Sequence, residues 1–281
     1  MHRLRYLKDK LFIVAVATLS IAFLIPISHM IAVIIVNGLP TVVKAGLRFF
    51  TDVPPPPLSR DIGGIAPALV GSFTVTLLSL LISIPLALSA AILSNEFPAN
   101  PVSRAVDVLS RSFASIPTIV VSMVVYMVVV VPMGRFSALA GAIALSLVSL
   151  PYAYTSFSAA LRAIPRTYRE AAYSIGMNRW KTVSKILMPI ARKAIVVGIL
   201  ITFARAMGET AALLFTVGRY RTRVGLDMTS PTDAIPLLIF DYMLTPYKLY
   251  HEIAWGATFV LLVTYVLIFV AVKIAVKEVR L

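Results

Sequence analysis

The sequence predicts an all-α polytopic membrane protein with six transmembrane helices, and three observations predict it. Of 281 residues, 59% are hydrophobic and 14% are charged, against about 25% charged in an ordinary soluble domain. The mean hydropathy is +0.91. The apolar residues gather into blocks near 11–36, 65–94, 112–132, 136–158, 190–217 and 253–272. About 20 such residues in a helix cross the roughly 30 Å hydrocarbon layer.

Residues 1–10 form a short basic tail. The first block, LFIVAVATLSIAFLIPISHMIAVIIV, holds no Asp, Glu, Lys or Arg. It is longer than the apolar core of a secretory leader and no small-residue cleavage site follows it, so it reads as a span. Residues 1–64 thus comprise the tail, the first span and an external segment, 37–64. Four consecutive prolines at 54–57 favour a stiff extended path there, and Asp61, Gly63 and Gly64 suit a turn before the second span.

Residues 65–281 form the second unit. Its first part, 65–158, carries Pro67, Pro85, Pro117, Pro132 and Pro151. A proline inside a helix removes a donor and kinks the chain, and in lipid the released carbonyl needs an internal partner. Ordinary bundle architecture and broken helices lining a solute route both remain open on this pattern. In the polar segment 159–189, T-Y-R-E at 167–170 has the form of a capping box, which starts a short helix at Thr167. Gly176 suits its left-handed stop, Asn178 suits the cap of a second short helix, and Pro189 introduces the next span. Such a pair either lies on the bilayer surface or fills a cleft on a soluble partner. Ala171 and Ala172 allow close approach by something bulky. Residues 218–252 form a second external segment with an amphipathic surface helix near 234–243.

The net charge of +14 raises nucleic acid as a partner, but its distribution excludes it. Segments 1–10, 95–111, 159–193 and 273–281 hold 17 Lys or Arg, and the alternate segments hold 8. The positive-inside bias therefore expects a multi-pass membrane protein with both termini cytoplasmic. No cysteine is present, and His2, His29 and His251 are scattered, so no metal site is expected. No nucleophile–base set indicates a catalytic residue, and no G-x-x-x-x-G-K-S/T loop is present. Energy for any transport belongs to another subunit, or the protein is a passive conduit.

The most informative short stretch is RAMGETA at 205–211. Arg205 lies about 18 Å along a helix from Lys193 and about 21 Å from Arg219, close to mid-membrane. Glu209 follows at i+4 on the same face, and Gly208 allows another backbone nearby. Charge at that depth costs roughly 3 kcal/mol or more, so the pair faces a cavity or a partner. A structural ion pair is one reading. The other is oxyanion recognition by a permanently charged planar fork, with Glu209 neutralising it at rest or accepting a hydrogen bond from a protonated oxyanion.

The stretch EAAYSIGMNRWKTVSKILMP, 170–189, resembles the cytoplasmic loop of the membrane permease subunits of ABC importers. Glu170, Ala171, Ala172, Gly176, Ile186 and Pro189 fit that loop, and Met188 stands where Leu is usual. Within that family, SIPTIVVSM at 115–123, RAMGETAALLFTVG at 205–218 and SPTDAIPLLIF at 230–240 resemble phosphate permeases. Thr118 and Ser122 depart from the usual residues there. The resemblance covers roughly 65–276.

The resemblance implies that the short helices dock into a cytoplasmic ATPase dimer, with Glu170 organising the loop by its cap. It implies that Arg205, Gly208, Glu209 and Thr210 line a phosphate route. The pore would pair this chain with a related permease as a heterodimer, an external phosphate-binding protein would deliver the solute, and lipid would surround the spans. ATP with magnesium belongs to the ATPase, and this chain binds no cofactor. A permease for sulfate or molybdate and a non-transporting scaffold stand as alternatives.

Overall fold

Lipid offers the backbone no hydrogen-bond partner, so each long apolar block closes its hydrogen bonds within a helix. The computed structural model describes residues 2–277; Met1 and residues 278–281, part of the basic carboxy-terminal segment, lie outside the described residues. Helix α1 (His2–Ala45) is followed by the short α2 (Arg48–Thr51) and by α3 (Ala66–Glu96). Then come α4 (Pro101–Ala114), α5 (Thr118–Met133) and α6 (Ala138–Arg162). The chain continues through α7 (Arg166–Ser174), α8 (Arg179–Met207), α9 (Ile235–Met243) and α10 (Lys248–Lys277).

Helices α1, α3, α6, α8 and α10 are each long and apolar enough to cross a membrane. The third expected span is not one straight helix. Pro117 adopts an extended ψ of 130°, and α4 and α5 meet there at 105°. Helix α4 is an amphipathic element of its own, capped by Asn100 through the Val102 amide, and only α5 remains of the span expected at 112–132. The pair makes up the sixth crossing when counted as one broken span.

Helices α3 and α6 pack along their whole length in the same direction. Small residues recur at three- and four-residue spacing on both, including Ser72, Thr76, Ser79, Ser83, Ala87 and Ala91 on α3. Without a hydrophobic driving force between helices in lipid, such residues let backbones approach and gain dispersion contacts. Outer core residues Val75, Ala142 and Leu145 gather with Ala206, Leu213 and Val217. At the cytoplasmic end Ala87, Ala91, Phe157 and Leu161 gather with Val183, Leu187 and Ile195.

Three further departures have physical causes. Helix α9 is no surface helix: Ile235, Leu237, Leu238 and Tyr242 are buried against α3 and α10, and the Ile235 amide donates to Ser72 Oγ at 2.7 Å. Its acidic neighbours made it look exposed, but they are paired. Arg221 bonds Asp233 and Asp241, each at 2.6 Å, and Arg219 reaches Asp241 at 3.2 Å. Burial works against charge on Arg221, yet the two carboxylates outweigh it and raise its pKa above the ordinary arginine value.

Second, the fifth span is displaced from its expected 190–217 to Arg179–Met207, and Pro189 lies inside it. A π-helical turn, Val183–Leu187, ends two residues before that proline. In α5 another, Tyr126–Val130, ends two residues before Pro132. The wider turn accommodates the missing N–H and the ring without ending the helix. Third, α7 starts at Arg166 behind Pro165, with no side-chain cap. The expected cap at Thr167, and with it Glu170's capping role, is therefore not formed.

Candidate functional site

Helix α8 links the two sets of residues singled out in the sequence, carrying Arg205 near its outer end and Ile186, Met188 and Pro189 near its cytoplasmic end. At its outer end it stops at Met207, where Gly208 is the C-cap residue. Residues 208–217 continue as tight turns, with Leu213 N–H donating to Thr210 carbonyl at 3.1 Å and Thr216 N–H to Leu213 carbonyl at 3.1 Å. Non-helical backbone at membrane depth is tolerated only where protein buries it. Ala212, Leu213 and Val217 are buried and supply that cover.

Arg205 and Glu209 were expected on one helical face; the helix ends between them, yet the contact forms. Arg205 Nη2 lies 3.3 Å from Glu209 Oε1, with side chains 40% and 15% exposed. The guanidinium carbon stands 3.7 Å from the centre of the Tyr152 ring. Tyr152 occupies the middle of α6, which supports the mid-membrane depth of Arg205. A ring face attracts the cation by its quadrupole and leaves the edge N–H groups for acceptors. Glu209 meets that edge, and the Arg205 side chain stays 40% exposed.

Gly208 is where α8 meets α10. A Cβ there would overlap the Tyr265 hydroxyl, so only glycine fits this approach. That hydroxyl lies within the electrostatic reach of Glu209. Arg205, Gly208, Glu209 and Thr210 therefore come together with Tyr152 and Tyr265 at one depth. Sequence reasoning missed both tyrosines, because nothing in a single apolar helix marks the face on which a distant guanidinium lands.

The cytoplasmic set is divided between α7 and the start of α8. Ala172 is buried and Glu170 and Ala171 are exposed on α7. Gly176, at φ +79°, closes α7: its N–H donates to Tyr173 carbonyl at 3.0 Å and that of Met177 to Ala172 carbonyl at 3.1 Å. This double closure is a Schellman motif, which needs a residue free to adopt left-handed φ. Asn178 caps the next helix through the Lys181 amide at 2.9 Å, as expected. Ile186 and Met188 are half-buried, and Pro189 is exposed.

The sequence did not reveal what holds this loop. Arg169 Nε donates to both Glu96 carboxylate oxygens at 3.1 Å, and its Nη2 to Oε1 at 2.7 Å. The same guanidinium donates to the Leu161 carbonyl at 3.1 Å and the Ile164 carbonyl at 3.0 Å. Arg179 donates to the Glu96 carbonyl at 3.1 Å and lies over the Phe97 ring. Glu96 closes an apolar run and Arg169 sits inside the supposed capping box, so each had a local explanation. Among the described residues, no three His, Asp or Glu side chains are arranged to hold a metal ion.

The family described as a binding-protein-dependent transport system inner membrane component matches residues 83–281. A relative from Methanocaldococcus jannaschii, named a probable phosphate transport system permease protein PstA, is 39% identical over 98% of this chain and 96% of its own. A phosphate transport system permease protein PstA from Yersinia pestis is 35% identical over 78% of this chain and 73% of its own. The inward-facing MetNI methionine ABC transporter superposes with a TM-score of 0.62 at 20% identity, covering 78% of this chain and 95% of its own. That likeness shows the fold.

Proposed function

Because the chain belongs to the binding-protein-dependent transport system inner membrane components, we propose that it is the permease subunit of an ATP-driven importer of inorganic phosphate. It acts with a related permease as a heterodimer, a cytoplasmic ATPase dimer and an external phosphate-binding protein. The observation that carries the reading is the Arg205 guanidinium, which lies over Tyr152 beside Glu209 near the end of α8 and is 40% exposed. The naming of relatives 39% and 35% identical supports phosphate as the solute.

Arg205 supplies a permanent positive charge and a planar fork for two oxyanion oxygens. Tyr152 holds the guanidinium plane, and Glu209 balances the charge while the route is empty. Glu209 also accepts a hydrogen bond from a protonated oxyanion, which phosphate offers near neutral pH and sulfate does not. Gly208 and Thr210 keep the backbone open beside the pair. At the other end, Glu170, Ala171, Gly176, Ile186, Met188 and Pro189 form the surface that docks the ATPase, and Ala172 packs beneath it. ATP and magnesium act on that partner, and both termini of this chain lie on its side of the membrane.

The test is ATP-dependent uptake of labelled phosphate into vesicles holding the complete complex, with excess sulfate and molybdate present. Uptake that requires ATP and resists both competitors is expected. Flux of sulfate or molybdate instead, from a complex that hydrolyses ATP, refutes the substrate.

A further inference from the structure

Glu96 is in an unfavourable place for an acid. It ends α3, where the helix dipole presents its negative pole, and its side chain is 3% exposed. A local conflict of this kind persists when the surrounding structure compensates it. The compensation comes from two arginines 73 and 83 residues away. Arg169, 17% exposed, also donates to the Leu161 carbonyl in the last turn of α6, where a cation suits the dipole, and to the Ile164 carbonyl just beyond that helix. Four elements thus meet at one residue: α3 contributes Glu96, α7 brings Arg169 to its carboxylate, α8 brings Arg179 to its main-chain carbonyl, and α6 is tied in through the Arg169 guanidinium.

A buried ion pair adds little net stability over an apolar pair of similar volume, so stability alone gives no reason for this arrangement. What it fixes is direction. Each hydrogen bond of the planar Arg169 fork constrains the angle between α7 and the ends of α3 and α6, which apolar contacts leave free to slide.

We propose that Glu96, Arg169 and Arg179 form a rigid joint that makes the docking segment α7 move as one body with α3 and α6. They are positioning residues for transport: they touch neither solute nor nucleotide, and they convert displacement of α7 into displacement of the α3–α6 pair. The proposal rests on the reading that α7 docks an ATPase, but not on phosphate being the cargo.

The chain lacks cysteine, so spin labels can be placed by Ala99→Cys beyond α3 and Tyr168→Cys on α7, both exposed positions. The complete complex, with partner cysteines replaced and ATP hydrolysis verified, is measured without nucleotide and with trapped ATP. The expected distance is narrow and the same in both states. In the paired replacement Glu96→Met with Arg169→Met, the distribution should broaden, and solute moved per ATP should fall about fivefold or more while hydrolysis continues. Arg169→Lys, which keeps the charge but loses the fork, should show the same effects more weakly and decides the matter if the double variant does not assemble. A native distance that changes between states overturns the proposal. So does a variant that keeps both the narrow distribution and native transport per ATP. A wrong substrate assignment leaves the distance result unaffected, so the two failures are distinguishable.

Discussion

Replacing Arg205 with Lys keeps the charge, and therefore the cost of placing it at mid-membrane, while removing the fork. The guanidinium is held by Tyr152 at 3.7 Å and Glu209 at 3.3 Å, and these two contacts restrict its orientation. Lys presents a mobile ammonium that meets one oxyanion oxygen at a time. A lost hydrogen bond between charged groups is worth about 2 kcal/mol, which corresponds to about 30-fold in uptake efficiency at low phosphate. The assay is initial phosphate uptake by vesicles at limiting external phosphate, beside ATP hydrolysis by the same preparation. Uptake efficiency should fall between about 10- and 100-fold, with assembly unchanged. A loss smaller than about twofold refutes recognition by the fork and returns the pair to a purely structural role.

Glu209→Gln removes the negative charge that repels a fully deprotonated oxyanion and adds an N–H donor, so on the proposed role sulfate should begin to compete with phosphate for uptake, measured by inhibition curves. Gly208→Ala places a methyl against the Tyr265 hydroxyl and should lower thermal stability by about 1–3 kcal/mol; adding Tyr265→Phe should restore part of it in a double-mutant cycle. Gly176→Ala meets no atom within 4 Å but keeps φ at +79°, so it should cost about 1 kcal/mol from the backbone alone and weaken ATPase capture. Asp227 accepts from Ser230 and Thr229 and its carboxyl is held down to about 2. Because that value is depressed, its contribution is complete above the ordinary carboxyl range and is lost as pH falls towards 2. Protection of the Thr229 amide, relative to its intrinsic exchange rate, should therefore be steady at neutral pH and decline in acid.

Most of the spans were legible because lipid leaves an apolar block one solution, a helix long enough to cross. The exceptions show what a sequence does not carry locally. Nothing in TAALLFTVG announces that the helix has already ended at Met207; burial of Ala212, Leu213 and Val217 by α3, α6 and α9 makes the unwound form tolerable. Asp233 and Asp241 make α9 look wet until Arg221 is seen between them. The capping-box pattern at 167–170 lost to Pro165, whose fixed geometry starts the helix earlier, and to Glu96, which claims Arg169. The charged residues Arg205 and Glu209, proposed to line the route, were readable as an i, i+4 pair. Their tyrosine supports were not, since each comes from another helix.

The unbroken run of α8 has a consequence for gearing. From Arg179 to Arg205 the helix is a bar of about 39 Å. A tilt of about 10° about its cytoplasmic end would carry the guanidinium about 7 Å sideways. The same tilt displaces a residue one turn from that pivot by only about 1 Å. On the proposed docking and route, a swing too small to disturb the docking contact is enough to carry the charged tip past an entire oxyanion, and the length of the bar sets that ratio.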